Sequence, residues 1–122
     1  MEIVEFTKVE RQLMQVLWKL KKAFVKEIIQ ELPEPKPAYS TVSTIVRILE
    51  TKGVVAYEAF GKTHRYYPLI SKEEYMRFEA DKFLDNYFSN SIQDMFSFFV
   101  NEKKIDLKDA QQLLKMIDKI KD

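Results

Sequence analysis

One stretch limits what this chain can fold into: Tyr39 to Gly53, which reads as a helix and runs directly into two short strands. At helical spacing Val42, Ile45, Val46 and Leu49 fall at i, i+3, i+4 and i+7, the stripe that a helix buries. Ser40, Ser43, Thr44 and Arg47 repeat that spacing on the opposite face, with Thr41 beside them. A solvated helix face ordinarily carries Glu and Lys pairs. Small hydroxyls and a single Arg instead let the backbone approach a partner, and these groups bond phosphate oxygens and base edges. The pattern predicts a DNA recognition helix; an ordinary amphipathic helix with a Ser/Thr-rich outer face fits it as well. Ser40 is the expected cap, and Lys52-Gly53 supplies a basic last turn followed by a C′ glycine.

The flanking segments decide how that helix is framed. Thr7 and Glu10 form a Thr-x-x-Glu capping box, which opens a first helix with Val9, Leu13, Val16, Leu17 and Leu20 as its stripe and Met14 and Trp18 broadening it. A short second helix carries Val25, Ile28, Ile29 and Leu32 and stops at Pro33. Glu34-Pro35-Lys36-Pro37 is a stiff connector, longer than the tight turn of a helix-turn-helix, with Lys36 as a candidate phosphate-facing arm. After Gly53, Val54–Ala59 and His64–Leu69 read as strands joined by a turn at Phe60-Gly61-Lys62-Thr63. Three helices and a hairpin in this order, within 70 residues, predict a winged helix whose hairpin tip presents Lys62, His64 and Arg65 to a phosphate backbone. A solvated hairpin with ordinary charges is the plainer alternative.

Beyond Pro68 the chain is helical and aromatic. Ser71-Lys72-Glu73-Glu74 is a second capping box, followed by Tyr75, Phe78, Phe83, Tyr87 and Phe88. Ser91 caps a helix with Ile92, Met95, Phe96, Phe99 and Val100 on one stripe, and Asp106 caps another with Leu107, Ala110, Leu114 and Ile117. About 50 residues is marginal for an independent core, and Phe98 beside Phe99 spreads apolar surface around its helix. Residues 71–122 are therefore expected to bury Phe83, Tyr87, Phe88, Met95, Phe96, Phe99, Leu114 and Ile117 against a second copy of the chain, with residues 1–70 as the DNA-binding domain. Folding back onto the first domain in a monomer is the alternative.

Charge and composition narrow the function. The 122 residues carry a net charge of +1, so the molecule as a whole is no generic polyanion binder, although residues 1–70 hold +3 and residues 71–122 hold −2. The absence of cysteine excludes disulfides and thiolate metal sites. Only two glycines leave no phosphate-cradling loop, and the one histidine, His64, has no acidic partner fixed by sequence. The carboxylates Glu73, Glu74, Asp106 and Asp109 stand at helix starts, where they are expected without a metal. The expectations are no enzyme, no cofactor and no metal. The first residues lack the apolar run of a signal peptide, and no stretch of about 18 apolar residues exists for a membrane span, so a cytoplasmic protein is expected.

The ordered pieces Thr7-x-x-Glu10-x-x-Leu13-Met14-x-x-Leu17-Trp18, Val25-x-Glu27-Ile28, Tyr39-Ser40-Thr41-Val42-Ser43-Thr44, Leu49-Glu50-x-Lys52-Gly53 and Gly61-Lys62-x-x-x-Tyr66-Tyr67-Pro68-Leu69 resemble the penicillinase-repressor family (BlaI/MecI/CopY-type transcriptional repressors). The resemblance implies a homodimer in which an N-terminal winged helix binds a palindromic operator in double-stranded DNA and the C-terminal helices intertwine. Carried over, Ser40, Thr41, Ser43, Thr44 and Arg47 face the major groove, and Lys62 and Arg65 the backbone. It also implies a regulatory protease as a partner. Three departures stand out. Ile48 occupies the place of the family's usual Arg before the recognition-helix leucine, with Arg47 one place earlier; Phe98-Phe99 aligns where antibiotic-responsive members are cleaved at Asn-Phe; and the cysteine cluster of copper-responsive members is missing. A winged helix that docks a protein instead of DNA is the rival reading, and salt dependence separates the two.

Overall fold

The computed structural model of the chain describes residues 3–121, with side chains for residues 3–116. In order these form α1 (Lys8–Leu20), β1 (Ala23–Phe24), α2 (Val25–Glu31), α3 (Tyr39–Thr51), β2 (Val55–Phe60), β3 (Thr63–Pro68), α4 (Lys72–Phe88), α5 (Ile92–Asn101) and α6 (Leu107–Lys121). The three strands make one antiparallel sheet in the order β1-β3-β2. This is a winged helix followed by a helical region. Two compact units divide at Phe78/Glu79.

The local signals act as their chemistry dictates. The Thr7 hydroxyl accepts the Glu10 N–H, and the Glu10 carboxylate accepts the Thr7 N–H at 2.8 Å, closing the capping box at the start of α1. Ser71 and Glu74 repeat the arrangement before α4. Ser91 caps α5 through the Asp94 N–H. Gly53, at φ +80, ends α3 in the left-handed region that glycine enters without a steric penalty. Gly61, at φ +62, leads a two-residue hairpin turn with Lys62, which shifts the strands one position from the predicted bounds and pairs Phe60 with Thr63.

The core of the first unit collects Leu13, Met14 and Leu17 of α1, Ile28 of α2, Val42, Val46 and Leu49 of α3, and Val54, Val55 and Tyr66 at the sheet. Val9, expected in the α1 stripe, is instead exposed, because the stripe begins at the capping-box residue Glu10. Ile70 and Tyr75 extend the core past the hairpin. The Trp18 indole N–H donates to the Ile70 carbonyl at 2.9 Å. The Tyr75 ring stacks on Phe6 at 4.0 Å, and its hydroxyl accepts the Phe6 N–H at 2.8 Å. The first turn of α4 thus packs within the winged-helix unit, and the compact boundary falls inside α4 rather than at residue 70.

β1 is an addition to the predicted hairpin. Ala23 and Phe24 pair with Tyr66 and Arg65 of β3, placing β3 at the centre of the sheet. Lys36 also departs from expectation. Its ammonium donates to the Gln30 and Leu32 carbonyls, satisfying orphan acceptors at the end of α2, and so does not form an outward arm. Among the described residues no helix is long and apolar enough to cross a membrane.

In the second unit, Ala110 is the one described residue that is fully buried. Phe83 packs against Tyr87, Phe88 and Phe99, and Phe98 against Phe88 and Phe99, with ring centroids 5.4–6.4 Å apart. Phe83, Tyr87 and Phe98 nevertheless stay exposed, while Met95, Phe96 and Leu114 are half-buried. The side chain of Ile117 lies outside the described residues.

The tie with the largest consequence for α3 joins its end to α1. Lys52 reaches both Glu10 oxygens at 2.8 Å, and Glu10 is only 4% exposed. Burial pushes the Glu10 carboxyl up, but hydrogen bonds from Lys52 and Thr7 and the Lys52 charge outweigh it and hold the group below its ordinary 4.5. Lys52→Met leaves a buried carboxylate without its cation and is expected to destabilise the fold by about 3 kcal/mol, read from urea unfolding at neutral pH. The native group binds its proton more weakly than the unfolded one. Its stabilisation is therefore full above 4.5 and lost as pH falls through the lower native value. The stability gap between wild type and Glu10→Gln should narrow as the pH drops below 4.5.

Candidate nucleic-acid interface

α3 turns its apolar stripe inward, with Val42, Val46 and Leu49 fully buried and Ile45 half-buried. Ser40, Thr41, Thr44 and Arg47 are exposed on the other side, and Ser43 is half-buried. Ser40 is not the cap. The helix starts two residues earlier than that, with Ala38 as N-cap in extended conformation after Pro37, and no side chain bonds the first turn. The Ser40 hydroxyl is therefore one of the outward groups of the first turn, and the free N–H groups beside it suit an external anion.

Arg47 comes near the wing: its charge reaches the Tyr66 hydroxyl at the centre of β3. Tyr66 is 4% exposed. Burial raises its phenol above the ordinary 10, the Glu50 charge adds to the rise, and Arg47 opposes it. Nothing in the local sequence signals this proximity, since Arg47 and Tyr66 lie on different elements.

The hairpin sorts its polar residues by face. Lys62 sits in the turn and is exposed. His64 pairs with Ala59 and shares a face with Tyr57 and Tyr66, its ring stacked on Tyr57 at 4.0 Å. Arg65 belongs to the other face. Its guanidinium lies 5.9 Å from the Phe24 ring centroid, near Glu58, and its Nε is buried without a hydrogen-bond partner. His64 and Arg65 were expected at the tip but are strand residues, because the turn takes only two positions. The structure therefore brings Ser40, Thr41, Thr44 and Arg47 together on α3, sets His64 on the Tyr66 face, and leaves Arg65 on the opposite side of the sheet.

Two other lysines of the first unit have carboxylate partners. Lys19 pairs with Glu31 at 2.7 Å and Lys22 with Glu58 at 2.6 Å, both at exposed positions where such pairs contribute little. The carboxyl of Glu58 is lowered by its Lys22 hydrogen bond and charge. Among the described residues no three His, Asp or Glu side chains gather to hold a metal ion.

The family model described as "Penicillinase repressor" matches residues 6–119. The penicillinase repressor of Bacillus licheniformis is 22% identical over 121 residues, covering 98% of this chain and 94% of its own. The methicillin resistance regulatory protein MecI of Staphylococcus aureus (strain N315) is 21% identical over 116 residues, 94% of each chain. Among solved structures, one titled "The complex structure of hsRosR-S4" matches with a TM-score of 0.54 and 15% identity over 82% of this chain and 90% of its own, a likeness of fold.

Proposed function

The chain belongs to the penicillinase repressor family, a family of DNA-binding transcriptional repressors rather than enzymes, and on that premise we propose that it acts in the cytoplasm as a homodimer on a palindromic operator. The observation that carries the reading is the outer face of α3, where Ser40, Thr41, Thr44 and Arg47 are all exposed. Hydroxyls and backbone N–H groups position on phosphates, and the guanidinium offers a bidentate donor pair to a guanine edge. Lys62 at the hairpin turn adds a sequence-independent phosphate contact. Arg65, packed over Phe24, contributes to the wing's framework more than to the groove.

Residues 71–122 supply the second half of the reading. A region that leaves Phe83 39%, Tyr87 73% and Phe98 47% exposed buries too little apolar surface by itself, and a symmetry-related copy offers the matching surface. Two winged helices then enter successive major grooves about one helical turn apart. Binding of the second is intramolecular, so whatever separates the copies releases the operator. Cleavage by a regulatory protease at Phe98-Phe99 would require α5 to open first, because the bond lies inside that helix.

Selection of bound fragments from genomic DNA by the purified chain, followed by gel-shift, tests the proposal. On the selected site Arg47→Ala should cost about 1–3 kcal/mol, while Lys62→Ala should weaken all sequences alike and reduce the salt slope by about one. Binding that ignores salt would point to protein docking and sink the DNA reading. Tyr87→Glu, at a position where folding demands little, should shift the chain from dimer to monomer in sedimentation at micromolar concentration. Operator affinity should fall at least about tenfold with it.

A further inference from the structure

The outer side of α3 carries two rows at i, i+3, i+7 spacing. Ser40, Ser43 and Arg47 form one; Thr41, Thr44 and Ile48 form the other. The first row is hydroxyls and a guanidinium. Each member of the second carries a methyl group. The Thr44 hydroxyl donates to the Ser40 carbonyl at 2.9 Å, so its proton is committed within the helix and an outside partner meets a methyl and an acceptor. Ile48 is 44% exposed on a helix whose core side is already filled by Val42, Val46 and Leu49. Its side chain is partly offered to solvent at the end of a row that also carries the Thr41 and Thr44 methyls, an apolar strip on an otherwise polar face.

The floor of the DNA major groove presents hydrogen-bonding groups at every base pair and one apolar group, the 5-methyl of thymine. We propose that Ile48, seconded by Thr44, reads thymine 5-methyl groups and so makes this chain select A·T pairs beneath that row, while Arg47 reads the base pairs beneath the other. Residues four apart on a helix rise about 6 Å, and base pairs step by about 3.4 Å, so Thr44 and Ile48 together span at most two steps. The row therefore adds an apolar specificity element to a face otherwise built from hydrogen-bond donors. This inference rests on α3 being the recognition helix.

The test uses the full chain and the site it selects from random duplex DNA. Each thymine of that site is replaced singly by deoxyuridine, which removes the methyl and leaves the pairing edge intact. One or two replacements should weaken wild-type binding by about fourfold each, the worth of one buried methyl. Ile48→Ala should lose a similar factor on the thymine site and show no further loss with deoxyuridine at those positions. Ile48→Val, which keeps a branched apolar chain, should retain the sensitivity. The proposal is overturned if no deoxyuridine position changes wild-type affinity by more than about twofold, if Ile48→Ala stays as sensitive as wild type, or if the selected site has no thymine. Failure to select any DNA is a distinct result, which removes the recognition-helix reading itself.

Discussion

One buried carboxylate sets the pose of the surface that matters. Glu10 accepts the Thr7 N–H at the start of α1 and the Lys52 ammonium at the end of α3, so a helix cap and an interhelical tie share the same group. Each partner makes the other tolerable. The capping hydrogen bond and the ammonium together offset the desolvation of a group that is almost inaccessible to water. Because Lys52 is the C-cap residue of α3, the pair fixes the helix at the end opposite its open N-terminus. Gly53 then turns the chain into the sheet, and the Val54 carbonyl accepts the Leu69 N–H at 2.8 Å, closing the base of the hairpin. The orientation of Ser40, Thr44, Arg47 and Ile48 descends from these few bonds.

What was legible in the sequence was local. Thr7-Glu10, Ser71-Glu74 and Ser91 are caps whose donor and acceptor lie three residues apart, so their chemistry is written in one stretch. The α3 stripe and its polar face were equally readable, because helical periodicity needs no distant partner. The misses have a distant cause in each case. β1 has two residues, too few to alternate, and exists because β3 offers an open edge. Ser40 lost the cap because Pro37 sets the extended entry at Ala38 and the helix starts at once. Lys36 turned back to the carbonyls at the end of α2. Arg65 was placed by strand register, and a one-position shift in a strand exchanges its faces.

The hairpin shows how face and register divide labour. Ala23, Val55 and Tyr66 lie on the inner face and are buried. Glu58, Arg65, Phe24 and Phe60 lie on the other, where Lys22 pairs with Glu58 and Phe24 meets Phe60 edge-on at 5.7 Å. The outer face is thus knitted into itself by charge and aromatic pairs, and the inner face joins the core that Val42, Val46 and Leu49 of α3 fill. A basic count taken along the sequence does not separate these roles; the alternation of side chains does.

The same division bears on how tightly one copy could hold DNA. Lys19, Lys22 and Lys52 of the first unit have carboxylate partners, and Lys36 is bound to backbone carbonyls, so none is simply available to a phosphate. On the proposed reading Lys62 at the turn and Arg47 on α3 face the duplex. Few phosphate contacts give weak binding for a single winged helix, and linking two such surfaces supplies the rest. That requirement and the exposed aromatics beyond residue 78 point the same way, although they arise from unrelated physics: one from counterion release, the other from apolar area left uncovered.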